Sequence, residues 1–146
     1  MPIRVLVADP DRYLLASYQE QLSAEGFEVA TARDGLECLR RLRRFKPDVL
    51  VLEPAIPWGG GDGIVSLMHE EPSLAHVRMI LVLTHGCSPH VLYNMAAFPI
   101  DDYLAKPMAG KRLARRIRIA LGRREAAAAA GENVEWVSRS ILDGTG

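Results

Sequence analysis

The run Val49-Leu50-Val51-Leu52 constrains this chain most. It lies unbroken between Asp48 and Glu53 and is followed by a loop with Pro54, Pro57, Gly59, Gly60, Gly61 and Gly63. A short run with no polar face belongs to a strand covered on both sides, the setting of a parallel sheet flanked by helices. The prolines and glycines predict a turn through Trp58-Gly59-Gly60-Gly61, then a helix from about Ile64 with Asp62 as its cap. Ligands of open parallel sheets bind beyond the carboxyl ends of the strands, and Glu53 stands at such an end.

The same grammar repeats along the chain. Ile3 to Ala8 reads as a strand closed by Asp9-Pro10-Asp11, and a helix follows with Leu14, Leu15, Tyr18 and Leu22 inward and Gly26 as its stop. Phe27 to Ala30 is a second strand, and Asp34 caps a helix whose inner face is Leu36, Cys38, Leu39, Leu42 and Phe45. The helix from Ile64 turns Ile64, Leu67 and Met68 inward and stops at Pro72. Met79 to Thr84 is a fourth strand, with a short helix after it carrying Val91, Leu92 and Met95. Asp102-Tyr103-Leu104 is the fifth, and a last helix from Ala109 buries Leu113, Ile117, Ala120 and Leu121. Strands alternating with helices in this way predict a right-handed, doubly wound parallel sheet of flavodoxin-like order 2-1-3-4-5, with helices on both faces.

Residues 1–124 are expected to form one domain, and 125–146 a helix extension or linker with a tail. In that tail Ala126 to Ala130 is low in complexity, Gly131 is a break, and Val134, Trp136, Val137, Ile141 and Leu142 suggest an amphipathic interaction segment or a frayed end. A formal net charge of zero gives no global field for nucleic acid or membrane. No apolar run is long enough to span a bilayer, and Cys38 and Cys87 form no disulfide framework, so a reducing, cytoplasmic setting is expected. Basic residues gather at Arg40, Arg41, Arg43, Arg44 and Lys46, and again at Lys111, Arg112, Arg115, Arg116, Arg118, Arg123 and Arg124. Both clusters suit solvated helix faces. The second, with Asp101 and Asp102 nearby, is also the leading candidate for a homodimer contact. His85, Cys87 and His90 match no strong metal pattern, and no Gly-Lys-Ser/Thr follows the glycines, which read as a flexible loop.

Placed in that strand order, the ends of strands one, three, four and five bring Asp9, Asp11, Glu53, Thr84 and Lys106 to one rim. Carboxylates, a hydroxyl and an amine suit phosphoryl transfer: carboxylates hold Mg²⁺ or act as nucleophile, and an ammonium neutralises phosphoryl oxygens. Taken alone, Asp9-Pro10-Asp11 is an ordinary helix start, with Asp9 as cap and Asp11 in the first turn.

Over roughly Pro2 to Arg124 the chain resembles the receiver domain of two-component response regulators. The resemblance rests on Val-Leu-Val-Ala-Asp, Lys-Pro-Asp-Val-Leu-Val-Leu, Pro57 with Asp62-Gly63, Ile-Leu-Val-Leu-Thr and Asp-Asp-Tyr-Leu-Ala-Lys-Pro. It implies a CheY-like fold and a signalling module that is not an enzyme. The family takes a phosphoryl group from a histidine kinase onto an aspartate at the end of strand three and binds Mg²⁺ through an acid pair after strand one. Thr84, Tyr103 and Lys106 match its hydroxyl, aromatic and lysine positions.

The departures are specific. Glu53 stands at the acceptor position, Pro10 replaces the second acid of the pair, and Asp11 is acidic one residue too late. The loop after Glu53 is two residues longer than usual, and Trp58 in it either caps the pocket or meets a partner. The resemblance thus implies an atypical, phosphorylation-independent interaction module, with Mg²⁺ weak or absent and only Asp9 and Glu53 left to offer it oxygen. Glu53 is expected to reach Lys106 in a partly exposed pair worth little stability, with Thr84 turned toward it and Tyr103 inward. Partners would be a histidine kinase or an output protein. The alternatives are a receiver still phosphorylated by a kinase or small phosphodonor, and a flavodoxin-like small-ligand binder using the glycine loop.

Overall fold

The computed structural model describes residues 1–129. Its elements run β1 (Arg4–Ala8), α1 (Arg12–Ala24), β2 (Glu28–Ala32), α2 (Gly35–Phe45), β3 (Val49–Leu52), α3 (Gly60–Glu70), a 3-10 turn (Pro72–Leu74), β4 (Arg78–Leu83), α4 (Pro89–Met95), β5 (Asp102–Ala105) and α5 (Gly110–Ala129). The five strands form one sheet in the order β2-β1-β3-β4-β5, every pairing parallel. The expected flavodoxin-like arrangement is the one found. The tail from Ala130, with Gly131, Val134, Trp136, Val137, Ile141 and Leu142, lies outside the described residues.

The apolar runs separate into two cores by simple alternation. Leu6, Ala8, Leu50, Leu52 and Leu81 face Cys38, Leu42, Ile64, Met68 and Met95 of α2, α3 and α4. Val5, Val7, Val49, Val51, Ile80 and Val82 face Leu15, Tyr18, Leu22, Leu113 and Ile117 of α1 and α5. Period two sends neighbours to opposite faces, so a strand loaded at every position holds helices on both. Each fully buried Leu, Ile or Val contributes on the order of 1.5–3 kcal/mol of transfer free energy.

Three local expectations are overturned. Leu36 is 54% exposed, not part of the inner face of α2. The buried stripe runs through Gly35, Cys38 and Leu42, and Leu36 sits off it. A Cβ at Gly35 would run into the Trp58 carbonyl, so the inward slot admits only glycine there. Second, α3 starts at Gly60, with Gly59 (φ 94°) as N-cap and no side-chain cap bond; Asp62 lies in its first turn. Gly60, Gly61 and Gly63 are therefore helical and not a flexible loop. The cause is a close approach: Gly61 N–H donates to the Pro54 carbonyl at 2.9 Å, where a Cβ would strike Pro54. Third, Asp11 is the N-cap of α1, accepting from the N–H groups of Tyr13 and Leu14, whereas Asp9 precedes the cap.

Candidate functional site

The strand ends continue their ladders by one residue, which fixes where the site side chains begin. Asp9 N–H donates to Ala32 O at 3.0 Å, Glu53 N–H to Ala8 O at 2.9 Å, and Lys106 N–H to Leu83 O at 2.9 Å. Backbone geometry thus brings Asp9, Glu53, Thr84 and Lys106 to one corner of the sheet's carboxyl edge.

There the side chains form one connected group. Glu53, 2% exposed, presents Oε1 to three donors: Thr84 N–H at 3.1 Å, the Thr84 hydroxyl, and Lys106 Nζ at 3.1 Å. Lys106 Nζ also donates to Asp9 Oδ2 at 2.6 Å and to Thr84 Oγ1 at 3.2 Å. Asp9 Oδ1 accepts Asp11 N–H at 2.8 Å. Glu53 Oε2 is buried and has no hydrogen-bond partner. The Glu53–Lys106 pair was expected to be partly exposed; the side chains are 2% and 20% exposed, so it is largely desolvated. The longer glutamate, anchored where β3 ends, carries its carboxylate beneath Lys106 and out of water.

Two buried carboxylates share one ammonium. Burial alone pulls the Lys106 pKa down, but the hydrogen bond and charge of Asp9, then those of Glu53, outweigh it and leave it raised above 10.5. Burial, with the Glu53 charge second, also pushes the Cys87 thiol up. Tyr103 packs its ring against the core on the α2–α3–α4 side, and its hydroxyl is buried without a partner. Burial pushes its pKa up to about 12.

The donors available to a divalent cation are few. Pro10 offers no side-chain oxygen, Asp11 is spent on the helix cap, and both oxygens of Asp9 are already acceptors. Among the described residues no three His, Cys, Asp or Glu side chains gather as a metal would require, the His85–Cys87–His90 loop included. Mg²⁺ is usually held through one or two carboxylates and retained waters, and the two carboxylates here, Asp9 and Glu53, are already engaged by Lys106. Trp58 does not cap the pocket: it is 71% exposed, at φ 62°.

Some residues at the opposite, amino edge of the sheet were not given their roles from sequence. Asp101 and Asp102, expected near a homodimer surface, are 7% and 4% exposed. Asp101 Oδ2 accepts Met79 N–H at 2.7 Å, and Asp102 holds Arg116 through two bonds of 2.6 and 2.7 Å. Two acids at the head of an apolar strand were the available signal, since acids at such positions are seldom buried without a partner. Arg118 donates to Glu25 O at 3.0 Å and lies over the Phe27 ring. The two acids Asp101 and Asp102 are thus spent inside the chain, while Lys111, Arg112 and Arg115 are exposed.

Comparison with known proteins gives a consistent picture. The family model described as "Response regulator receiver domain" matches residues 5–118. The "Transcriptional regulatory protein PrrA" of Mycobacterium tuberculosis is 35% identical over 140 residues, covering 96% of this chain and 59% of that protein. The "Response regulator MprA" of Mycobacterium ulcerans is 35% identical over 123 residues, covering 84% and 52%. The chain therefore spans little more than half the length of these relatives. A CheY-like receiver domain protein from Methanospirillum hungatei superposes with a TM-score of 0.77 at 23% identity, covering 86% of this chain and 98% of that one. The receiver domain of an HD domain-containing protein from Pseudomonas fluorescens gives 0.75 at 22% identity, covering 86% and 99%. At that identity the likeness speaks for the fold.

Proposed function

This chain belongs to the response regulator receiver family, and from that premise we propose a receiver that signals through protein contacts without a phosphoryl cycle. The observation that carries the reading is the set of three donors on Glu53 Oε1. In the family, by the resemblance, a strand-four hydroxyl and a strand-five lysine answer to an aspartate that gains and loses phosphate. Here Thr84 and Lys106 already answer to a carboxylate that is always present. Glutamate carries one charge where an acyl phosphate adds about two, so it imitates the arrangement only in part. With Tyr103 already inward, little remains for a phosphoryl group to change.

The same reading assigns little Mg²⁺ uptake, because the donor set is committed elsewhere. It makes the chain a regulatory module and not an enzyme, with a histidine kinase or an output protein as partner in the cytoplasm. No helix among the described residues is long and apolar enough to cross a membrane. Direct nucleic-acid binding is not proposed, because the formal net charge is zero. Self-association through α5 would use its exposed Lys111, Arg112, Arg115 and Ile119 in place of pairing with Asp101 or Asp102. Sedimentation of Arg115→Glu, whose side chain is exposed, tests that face.

A second reading keeps the chemistry, and one observation favours it. Glu53 Oε2 carries no hydrogen-bond donor, so it is uncommitted, and a phosphodonor would reach it only once the buried pocket opens. Treatment with acetyl phosphate and Mg²⁺ followed by intact-mass measurement decides between the two. The proposed function expects an unmodified chain; an acyl phosphate mapped to Glu53 overturns it. A small-ligand site on the glycine loop is the weaker reading, because the chain belongs to the receiver family over residues 5–118.

A further inference from the structure

We propose that the outer face of α2, from Trp58 to Arg44, docks an acidic amphipathic segment of a partner protein. The whole chain is neutral, with 18 basic and 18 acidic residues, yet α2 carries Arg40, Arg41, Arg43 and Arg44 against one acid, Glu37. Among the described residues only Arg43 of these has a carboxylate partner, Glu71 at 2.5 Å. Arg40, Arg41 and Arg44 line a cavity of ≈ 570 Å³ with Arg4, Glu37 and Phe45. Arg4 is occupied there, lying over the Phe45 ring at 4.3 Å and 3.6 Å from Glu28, whereas Arg40, Arg41 and Arg44 are exposed. Lysine and arginine near a helix C-terminus favour its dipole, which accounts for one or two of them and not for three unpaired around a concavity.

The second observation is at the other end of the helix. Leu36 and Trp58 are 54% and 71% exposed, and the backbones that carry them meet: a Cβ at Gly35 would strike the Trp58 carbonyl, and Gly35 N–H donates to Pro57 O at 2.8 Å. Trp58 has φ 62°, a conformation a bulky residue seldom holds, and the loop keeps the indole in solvent while doing so. An aromatic anchor fixed before binding loses less freedom on binding, and Trp and Arg are the residues most enriched among binding hot spots. The helix of 11 residues spans about 16 Å. Arg40 and Arg44, four apart, stand about 6 Å from each other. Carboxylates spaced four apart on a partner helix match that interval, and an apolar residue one to two turns away meets Trp58 and Leu36. None of the residues of this surface belongs to the Glu53, Thr84 and Lys106 group, and the inference does not depend on how that pocket is read.

The test uses the full chain and a fluorescein-labelled synthetic helix bearing Glu at every fourth position and a pair of Leu at one end. Anisotropy should show saturable binding. Trp58→Ala and Arg40→Glu should each weaken it about tenfold or more, Leu36→Ala should act in the same direction, and Arg112→Glu on α5 should leave it unaltered. Absence of saturable binding overturns the proposal, as does equal loss in Arg112→Glu, which would mean charge alone. Full binding by Trp58→Ala removes the anchor and overturns it too. Tighter binding of a duplex DNA with the same dependence on Arg40 would make the face a polyanion surface instead.

Discussion

Replacing Lys106 with methionine isolates the energetics of the buried pocket. Methionine keeps most of the volume and removes the one cation shared by Asp9 and Glu53, whose side chains are 4% and 2% exposed. Lys106 Nζ lies 2.6 Å from one carboxylate and 3.1 Å from the other. At an effective dielectric near 20 each contact is worth roughly 5–6 kcal/mol of Coulomb energy, offset by the desolvation of all three groups. Removing one partner leaves the desolvation in place and takes away the attraction, which typically costs about 3–5 kcal/mol. We take the low end, about 3 kcal/mol, because Lys106 is itself 20% exposed and water can reach part of the site. With an unfolding entropy of about 2 cal/mol/K per residue, that lowers Tm by about 10 °C. Urea unfolding at pH 7 should show a lower midpoint with an unchanged slope. Adding Glu53→Gln to Lys106→Met should restore about 1–2 kcal/mol, since only one carboxylate then lies buried without a cation. A Lys106→Met protein within about 0.5 kcal/mol of the parent, or a double variant weaker than the single, would refute this account.

Three further outcomes follow from the same structure. The Tyr103 hydroxyl is buried with no partner, so Tyr103→Phe should be neutral or stabilise by up to about 1 kcal/mol in urea unfolding; a loss above that would mean the hydroxyl has an acceptor. Alkaline pH should weaken the fold. Tyr103 is raised from 10.0 to about 12 and Lys106 above 10.5, so their contributions are intact below pH 10 and fade as pH climbs through the folded values. The urea midpoint should therefore fall between pH 9.5 and pH 11.5, with phenolate absorbance lagging that of free tyrosine; a flat profile contradicts both shifts. Gly35→Ala should cost about 1–3 kcal/mol by thermal melting, because its Cβ meets the Trp58 carbonyl. A melt indistinguishable from the parent would show that the loop moves aside freely.

How far the sequence carried depends on what each residue answers to. The strands were legible because an apolar run with no polar face has one environment open to it, and β1, β3 and β4 each have one. Asp9, Glu53, Thr84 and Lys106 were legible because topology alone places strand ends together. The burial of the Glu53–Lys106 pair was not, since side-chain depth at a sheet edge depends on what covers it. Leu36 was misplaced because its spacing fits α2 while Gly35 holds the inward slot, a fact set by Trp58, more than twenty positions away. The early start of α3 was hidden for a related reason. Glycine reads as loop until the Pro54 backbone is seen pressing on Gly61. Asp101 and Asp102 looked like surface acids, and only the Met79 N–H and the Arg116 fork show why they are inside.

Lys106 is also a matter of timing. It closes on Asp9 across 97 positions and on Glu53 across 53. On a ribosome both carboxylates emerge well before the ammonium that neutralises them. Until β5 and the residue after it are clear of the exit tunnel, a chain that packs β1 against β3 confines two acids with no cation between them. The early strands are thus held back from settling by their own charges, and the last strand made releases them. Domains tend to fold as units as they are synthesised, and contacts so distant in sequence form slowly. In this protein the delay is written into one amine, which makes a nascent fragment ending before Lys106 a poor imitation of the finished sheet and the emergence of Lys106 the first point at which this corner can close.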